Sequence, residues 1–132
     1  MVIDTSAIVA ILFNEPERSE FDRLIAGDNV RLVSAVTRVE AAFVIEGRTG
    51  DIGRIRLDRF IALTGIEIVS VTPEQAELAV AAFRRYGKGR HPFGLNIGDC
   101  FPYALAKSTG EPLLFKGDDF TRTDIAPAYN PA

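Results

Sequence analysis

The first thirteen residues constrain the fold most strongly. Val2 and Ile3 are β-branched residues typical of a strand, and residues 7–13 (AIVAILF) continue as an apolar stretch with no polar face. A strand and a helix this apolar are both buried, which is typical of a parallel sheet covered by helices on each side. We therefore expect an α/β fold in which Asp4 stands at the carboxyl end of the first strand, where such sheets keep their sites.

The rest of the chain alternates strands with pairs of helices. The pattern predicts strands at residues 2–3, 30–33, 66–71 and 112–115, and helices at residues 7–13, 17–26, 34–46, 51–63, 73–86 and 100–108. The order β-α-α-β-α-α-β-α-α-β predicts a three-layer α/β/α sandwich with a central parallel sheet of four to five strands and right-handed crossovers.

Three local predictions accompany this outline. Gly47 and Gly50 are expected to end the third helix, and Thr72 is expected to cap the helix that begins with Pro73. The helix at residues 51–63 is expected to bury one apolar side formed by Ile52, Ile55, Leu57, Phe60 and Ile61. The proline-interrupted tail after residue 123 supports no prediction.

Length and composition indicate a single domain over residues 1–132, with 47% hydrophobic residues to form one core. The lone Cys100 cannot form an intramolecular disulfide, and no leader or spanning segment is recognisable, so we expect a cytoplasmic protein with no membrane partner. The net charge of −3 argues against nucleic acid binding unless some carboxylates surround a cation.

Acidic residues recur at comparable places in the outline: Asp4 after the first strand, Glu40 early in the helix after the second strand, Asp99 at the start of the last helix, and residues 118–119 after the last strand. Because parallel strands end at one edge of a sheet, these positions can converge. Each pair of like charges 4 Å apart costs about 4 kcal/mol at an effective dielectric near 20, so either their pKa values rise or a cation binds among them.

The chemistry of such a cluster is specific. Carboxylate oxygens without His or Cys suit Mg²⁺ or Mn²⁺ rather than zinc, and sites of this kind act on phosphate groups. Each acid also has a purely structural interpretation: Asp4 and Asp99 can cap helices, residues 37–40 fit a capping box, and residues 118–119 can form a surface turn. These interpretations do not explain why all four elements end at one edge of the sheet.

Five sequence motifs lie at residues 1–7, at residues 34–40, at residues 86–92, at residues 95–106 and at residues 112–124. Together, in this order, they resemble the motifs of the PIN-domain ribonucleases, and most of all the VapC-type toxins of bacterial type II toxin–antitoxin pairs. The resemblance runs essentially end to end. It implies a PIN-like fold and a divalent-metal-dependent endoribonuclease that hydrolyses RNA, with tRNA or ribosomal RNA as the substrate class.

The resemblance also implies roles for individual residues. The acidic positions of the family correspond to Asp4, Glu40, Asp99 and Asp119, with Asp118 as the alternative for the fourth acid. Asp4 and Asp99 would be the main ligands of Mg²⁺ or Mn²⁺, and the other acids would complete the pocket directly or through water. Thr5 and Ser6 would hydrogen-bond a carboxylate or a metal-bound water. Hydrolysis would use a metal-bound hydroxide with in-line loss of the 3′ oxygen.

The implied partners are an RNA, a cognate antitoxin and a second copy of the chain. Residues 7–26 and 36–45 can leave an apolar groove for a partner helix, or pack within the monomer or against the second copy. Candidate RNA contacts are the cations Arg85, Lys88, Arg90 and Lys116, although a solvated helix end and loop explain the first three equally well.

Some residues invite other interpretations. Cys100 is expected to be core rather than a nucleophile, since the single His91 lies on a glycine-flanked loop. Pro102 is expected at about the third or fourth residue of its helix, where no intrahelical hydrogen bond is lost.

Other functional classes fit less well. A phospho-receiver domain needs an acceptor Asp after a middle strand, but residues 66–71 run into Thr72 and Pro73, and a haloacid-dehalogenase-type phosphatase needs a second Asp shortly after Asp4. A non-catalytic module whose acidic crevice receives a basic partner segment remains the alternative.

Overall fold

The computed structural model of the protein describes residues 1–89 and 94–131. In this part of the chain the strands are β1 (Val2–Ile3), β2 (Leu32–Ser34), β3 (Glu67–Val69) and β4 (Leu113–Leu114). The helices are α1 (Thr5–Leu12), α2 (Arg18–Gly27), α3 (Ala35–Thr64), α4 (Pro73–Tyr86) and α5 (Ile97–Thr109). The strands form one parallel sheet in the order β3-β2-β1-β4, which places β1 between β2 and β4.

Adjacent residues of the central strand face opposite layers. Val2 packs with Leu113 against side chains of α4 and α5, whereas Ile3 packs with Leu114 against side chains of α1, α2 and α3. Both faces of the sheet are therefore covered by helices, which explains why β1 carries no polar residue before Asp4. The predicted three-layer α/β/α sandwich with a parallel sheet is confirmed.

The start of α4 forms as predicted. Thr72 is the N-cap, its side chain accepts a hydrogen bond from the Gln75 amide (3.1 Å), and Pro73 is the first helical residue. A proline fits there because the first amides of a helix have no intrahelical partner.

The third predicted helix continues through Gly47, but the break predicted at Gly50 is present. α3 continues through Gly47 to Thr64 and is interrupted only at Gly50, whose φ of 62° and ψ of −142° are accessible almost exclusively to glycine. Beyond the break, the buried side of the helix is narrower than predicted. Leu57 is buried as predicted and Phe60 and Ile61 are partly buried against the core, but Ile52 and Ile55 are 70% and 56% exposed and Gly53 is buried instead.

The prediction for Pro102 is also wrong in its placement. α5 begins at Ile97 rather than Cys100, so Pro102 is the sixth helical residue and cannot donate to the carbonyl of Gly98. The helix nevertheless continues to Thr109, and Pro102 is buried within it. Cys100 is buried as predicted.

The C-terminal segment follows the outer edge of β4. The Leu113 amide donates to the carbonyl of Ala126 (2.9 Å), and the Ala128 amide donates to the carbonyl of Leu113 (2.8 Å). The Tyr103 hydroxyl donates to Asp124 (2.6 Å) and anchors the segment to α5. The tail therefore protects this edge of the sheet. Within the described residues no helix has the length and apolar character needed to cross a membrane.

The backbone of Gly50 generates a prediction about stability. Gly50→Ala should lower the free energy of unfolding by about 1–3 kcal/mol, because a β-carbon strains this φ/ψ combination. Gly47→Ala is the matched control: Gly47 is helical and exposed in the same helix, so alanine there should raise stability by up to about 1 kcal/mol. Urea unfolding of both variants measures the difference. Equal effects at the two positions would contradict the assigned break in α3.

Candidate functional site

Asp4 occupies the carboxyl end of the central strand and caps α1. Its carboxylate accepts hydrogen bonds from the Ser6 amide (3.1 Å) and the Ser6 hydroxyl (2.6 Å), and the side chain is almost completely buried. Burial raises the pKa of Asp4 to about 6, the hydrogen bonds from Ser6 oppose that increase, and the negative charge of Glu40 adds to it. The capping interpretation of Asp4 is therefore correct, and the same carboxylate is also unusually basic.

Asp99 lies in the first turn of α5 and forms a reciprocal capping box with Asn96. The Asp99 carboxylate accepts from the Asn96 amide (3.0 Å), and the Asn96 side chain accepts from the Asp99 amide (2.9 Å). Burial raises the pKa of Asp99 to about 7 against the Asn96 hydrogen bond. The charges of Asp4, Asp119 and Glu40 raise it further, so the four predicted acids share one electrostatic environment.

Glu40 reaches this site from α3. Its carboxylate accepts a hydrogen bond from the Thr5 hydroxyl and packs against Gly98. A β-carbon at position 98 would displace the end of the Glu40 side chain from this place. The capping box expected at residues 37–40 is wrong, because Ser34 is the N-cap of α3 and accepts from the Val36 amide (3.3 Å).

Asp118 and Asp119 have different roles. Asp119 is the member whose charge raises the pKa of Asp99. The carbonyl of Asp118 accepts hydrogen bonds from the Thr121 amide (3.2 Å) and hydroxyl (2.8 Å), so the predicted surface turn is also present. Asp119 is thus the better candidate for the fourth acid.

The donor set suits a hard divalent cation held mainly by two carboxylates. Within residues 1–89 and 94–131, no three His, Cys, Asp or Glu side chains are close enough to form a ready-made metal site. Mg²⁺ commonly binds to one or two protein carboxylates and keeps several waters, so Asp4 and Asp99 fit this mode better than direct ligation by all four acids.

The Cys100 thiol beside the acids is not activated as a nucleophile. Burial and the neighbouring Asp99 charge raise the pKa of Cys100 to about 11, and its Sγ donates to the carbonyl of Asn96 (3.3 Å). At neutral pH the group is a protonated thiol and a poor nucleophile.

The predicted RNA-binding cations differ in their surroundings. The ammonium of Lys116 forms ion pairs with Glu15 (2.8 Å) and Glu17 (3.0 Å). The guanidinium of Arg85 lies 5.0 Å from the centre of the Tyr86 ring, and Lys88 is exposed at the end of α4. Arg90 and His91 lie outside the described residues. RNA contact by these side chains stays a prediction.

Sequence reasoning missed two groups that shape the site. Asn96 stands three residues before Asp99, which is a recognisable capping-box spacing. The contact between Gly98 and Glu40 left no such signal, because it joins residues 58 positions apart in the chain (98 minus 40).

The chain is similar to known proteins over almost its whole length. Residues 1–126 match the PIN domain family. Ribonuclease VapC30 of Mycobacterium tuberculosis is 52% identical over 126 residues, which are 96% of each chain. Ribonuclease VapC of Mycolicibacterium smegmatis is 50% identical over 129 residues, 98% of this chain and 100% of that protein.

Solved structures share the fold at low sequence identity. VapC20 of Mycobacterium tuberculosis, described as a Sarcin-Ricin loop cleaving toxin, gives a TM-score of 0.78 at 19% identity and 98% coverage of each chain. A toxin–antitoxin complex from Klebsiella pneumoniae gives a TM-score of 0.70 at 20% identity, again with 98% coverage of each chain.

The raised pKa values predict how stability depends on pH. Burial raises the pKa values of Asp4 and Asp99 to about 6 and about 7 in the folded protein, from an ordinary value of 3.8. The native state therefore binds more protons than the unfolded state between about pH 4 and about pH 7. Their contribution to the free energy of unfolding should therefore decrease as pH rises from about 4 to about 7 and level off above that, by about 1.4 kcal/mol per unit of raised pKa.

Urea unfolding across this pH range tests the effect. Asp4→Asn and Asp99→Asn retain side chains that can cap a helix but cannot titrate, so each should flatten the profile. Asp51→Asn is the control, because the Asp51 side chain is 91% exposed. If both site variants keep the wild-type slope, the raised pKa values are wrong.

Proposed function

This chain belongs to the VapC family of PIN-domain ribonucleases, and from that premise we propose that it is the toxin of a type II toxin–antitoxin pair and a divalent-metal-dependent endoribonuclease. The observation that carries the proposal is the electrostatic coupling of four acids from distant parts of the chain around Asp99. Such a concentration of carboxylates at the end of a parallel sheet suits a cation that neutralises them.

We assign the cation to Asp4 and Asp99, with Glu40 and Asp119 acting directly or through water. Mg²⁺ or Mn²⁺ bound there would supply a Lewis acid that lowers the pKa of a coordinated water and neutralises charge on the RNA phosphate. The overall reaction is attack of water on phosphorus with loss of the 3′ oxygen, which leaves a 3′ hydroxyl and a 5′ phosphate.

The protein's own groups orient this chemistry. Ser6 fixes the carboxylate of Asp4 through two hydrogen bonds, and Asn96 fixes that of Asp99. Thr5 holds one oxygen of Glu40, which directs the other toward Gly98 at the start of α5. In the proposed enzyme, Glu40 accepts a hydrogen bond from the attacking water and so orients it toward the phosphate.

We propose a structured RNA, tRNA or ribosomal RNA, as the substrate. The net charge of −3 means that attraction for phosphate has to come from local cations. Arg84, Arg85 and Lys88 form an exposed basic group at the end of α4, which supports its assignment as a phosphate contact.

Two exposed apolar surfaces support the two protein partners. On α3, Val39 and Phe43 are 50% and 76% exposed and lie four residues apart on one face, and we assign this surface to the antitoxin. Between α4 and α5, Phe83 and Ile97 border an apolar groove of about 550 Å³, and we assign this groove to a second copy of the chain in a homodimer.

The ribonuclease assignment predicts the effect of single isosteric changes. Asp4→Asn and Asp99→Asn should each reduce RNA cleavage in Mg²⁺ or Mn²⁺ to below about 1% of wild type, because each removes a negatively charged ligand. Circular dichroism should show an unchanged fold. Bacterial total RNA is a suitable substrate, with cleavage measured by sequencing the new 5′ phosphate ends.

The control for this experiment is Asp51→Asn, which removes a remote exposed carboxylate and should cleave as wild type. EDTA should abolish cleavage by every variant. Full activity in Asp4→Asn or Asp99→Asn would remove that residue from the metal site. A wild-type protein with no metal-dependent turnover would instead support the non-catalytic acidic-crevice module.

The two partner surfaces should be separable by mutation. Phe43→Glu should weaken antitoxin binding by at least about tenfold, since it places a charge in an apolar contact, and should leave the oligomeric state unchanged. Phe83→Glu should convert the dimer to a monomer and leave antitoxin binding to the monomer intact. Isothermal titration calorimetry and sedimentation velocity measure the two properties, and each variant is the control for the other. A reversed pattern would exchange the two assignments.

A further inference from the structure

A cavity lies on the other side of the loop that carries Asp119, apart from the groove between α4 and α5. It has a volume of about 360 Å³ and is enclosed by the start of α2, the loop after β4 and the C-terminal segment. Its aromatic lining comes from Phe21, Phe115, Phe120 and Tyr129. The cavity is large enough to hold a small planar ligand.

The aromatic lining is organised in two packed pairs. Phe21 meets Tyr129 edge to face, with ring centres 5.2 Å apart, and Phe115 packs on Phe120 at 5.1 Å. Phe21 and Phe120 are buried, whereas Phe115 and Tyr129 are half-buried and still present ring surface at the cavity. Buried rings thus support accessible ones, which makes a stacking surface that exists before a ligand binds.

One loop connects this cavity with the acidic site. Lys116 and Asp118 line the cavity, while the neighbouring Asp119 acts on the pKa of Asp99. The Lys116 amide donates to the Ser6 hydroxyl (3.0 Å), and that hydroxyl donates to Asp4. The loop at residues 116–119 therefore contributes groups both to the cavity and to the surroundings of the acids.

The polar groups of the cavity distinguish between kinds of ligand. Its carboxylates belong to Glu17 and Asp118, and its ammonium, that of Lys116, is held in ion pairs by Glu15 and Glu17. A phosphate would meet net negative charge here. Carboxylate oxygens instead accept hydrogen bonds from N–H groups, such as the amino groups of adenine, cytosine and guanine.

We propose that this cavity binds one unstacked nucleobase of the RNA substrate, next to the phosphodiester that is cleaved. The base stacks on Phe115 and Tyr129, and Asp118 accepts a hydrogen bond from its amino group, so amino-bearing bases are preferred over uracil. Recognition of splayed bases by aromatic side chains is the usual way in which proteins read single-stranded RNA. This inference deepens the proposed ribonuclease function and rests on it.

Nucleotide binding without catalysis tests the proposal. The full chain in EDTA is titrated by NMR with the 5′-monophosphates of adenosine, cytidine, guanosine and uridine, and with ribose 5-phosphate as the probe that lacks a base. Saturable shifts at Phe115, Gly117 and Tyr129 are expected with at least one amino-bearing nucleotide, and none with ribose 5-phosphate. Equal shifts with ribose 5-phosphate, or no shifts with any nucleotide up to about 10 mM, would overturn the proposal.

Two variants and a control sharpen the result. Phe115→Leu retains apolar bulk but loses the stacking ring, and should weaken binding by about fivefold to a hundredfold. Asp118→Asn adds an amide donor that can pair with a uracil oxygen, and should allow uridine monophosphate to bind. Leu63→Ala alters an exposed apolar side chain outside the cavity and should bind as wild type. Unchanged selectivity in Asp118→Asn would remove the assigned hydrogen bond and contradict the proposed preference.

The outcomes also separate this proposal from the ribonuclease assignment. Asp4→Asn should lose cleavage and keep nucleotide binding, because the cavity does not need the metal site. Nucleotide binding by a wild-type protein that shows no metal-dependent cleavage would refute only the enzymatic proposal. Cleavage without nucleotide binding would refute only the base site. Shifts of the same residues by an arginine-rich peptide, with no response to nucleotides, would assign the cavity to a protein partner and overturn the proposal.

Discussion

The burial of the Asp4 carboxylate at the end of the central strand is the interaction on which the site depends. An isolated buried charge is unfavourable, and here it is stabilised by the hydrogen bonds from Ser6 in the first turn of α1. The same Ser6 hydroxyl accepts from the Lys116 amide beyond β4. The Asp4 carboxylate therefore holds together the end of β1, the start of α1 and the loop after β4. The same oxygen atoms cap the helix and belong to the acidic site, so the two interpretations of Asp4 are both correct.

Repulsion among the acids links this structure to its chemistry. The charges of Asp4, Glu40 and Asp119 make Asp99 harder to ionise, and its pKa of about 7 means that protons compete with a cation near neutral pH. The sheet topology creates this situation, because β1, β2 and β4 are parallel neighbours that end at one edge. Acids that are far apart in the sequence therefore lie close enough to affect each other's pKa values. The predicted order of strands and helices was sufficient to infer this convergence.

Features encoded locally were predictable, and those that depend on tertiary contacts were not. Thr72 and Pro73 specify a helix start by their own hydrogen-bonding chemistry, and Asp4 follows the strand that positions it. Apolar periodicity marked Ile52 as a core residue, yet it is 70% exposed, because the pattern does not record how much of a helix surface the neighbouring elements cover. The Gly98–Glu40 contact and the ion pairs of Lys116 join distant parts of the chain, so no spacing in the sequence could reveal them.

The pairing of Lys116 bears on how an acidic protein could bind RNA. A free lysine beside four acids would be the obvious phosphate contact, yet Glu15 and Glu17 already neutralise its ammonium. In the proposed enzyme, phosphate attraction near the site depends on a divalent cation and on the cations at the end of α4, and neither distinguishes one base from another. Base preference has to come from other contacts, and the proposed base site, in the cavity lined by Phe115, Asp118 and Tyr129, supplies stacking and hydrogen bonding of that kind.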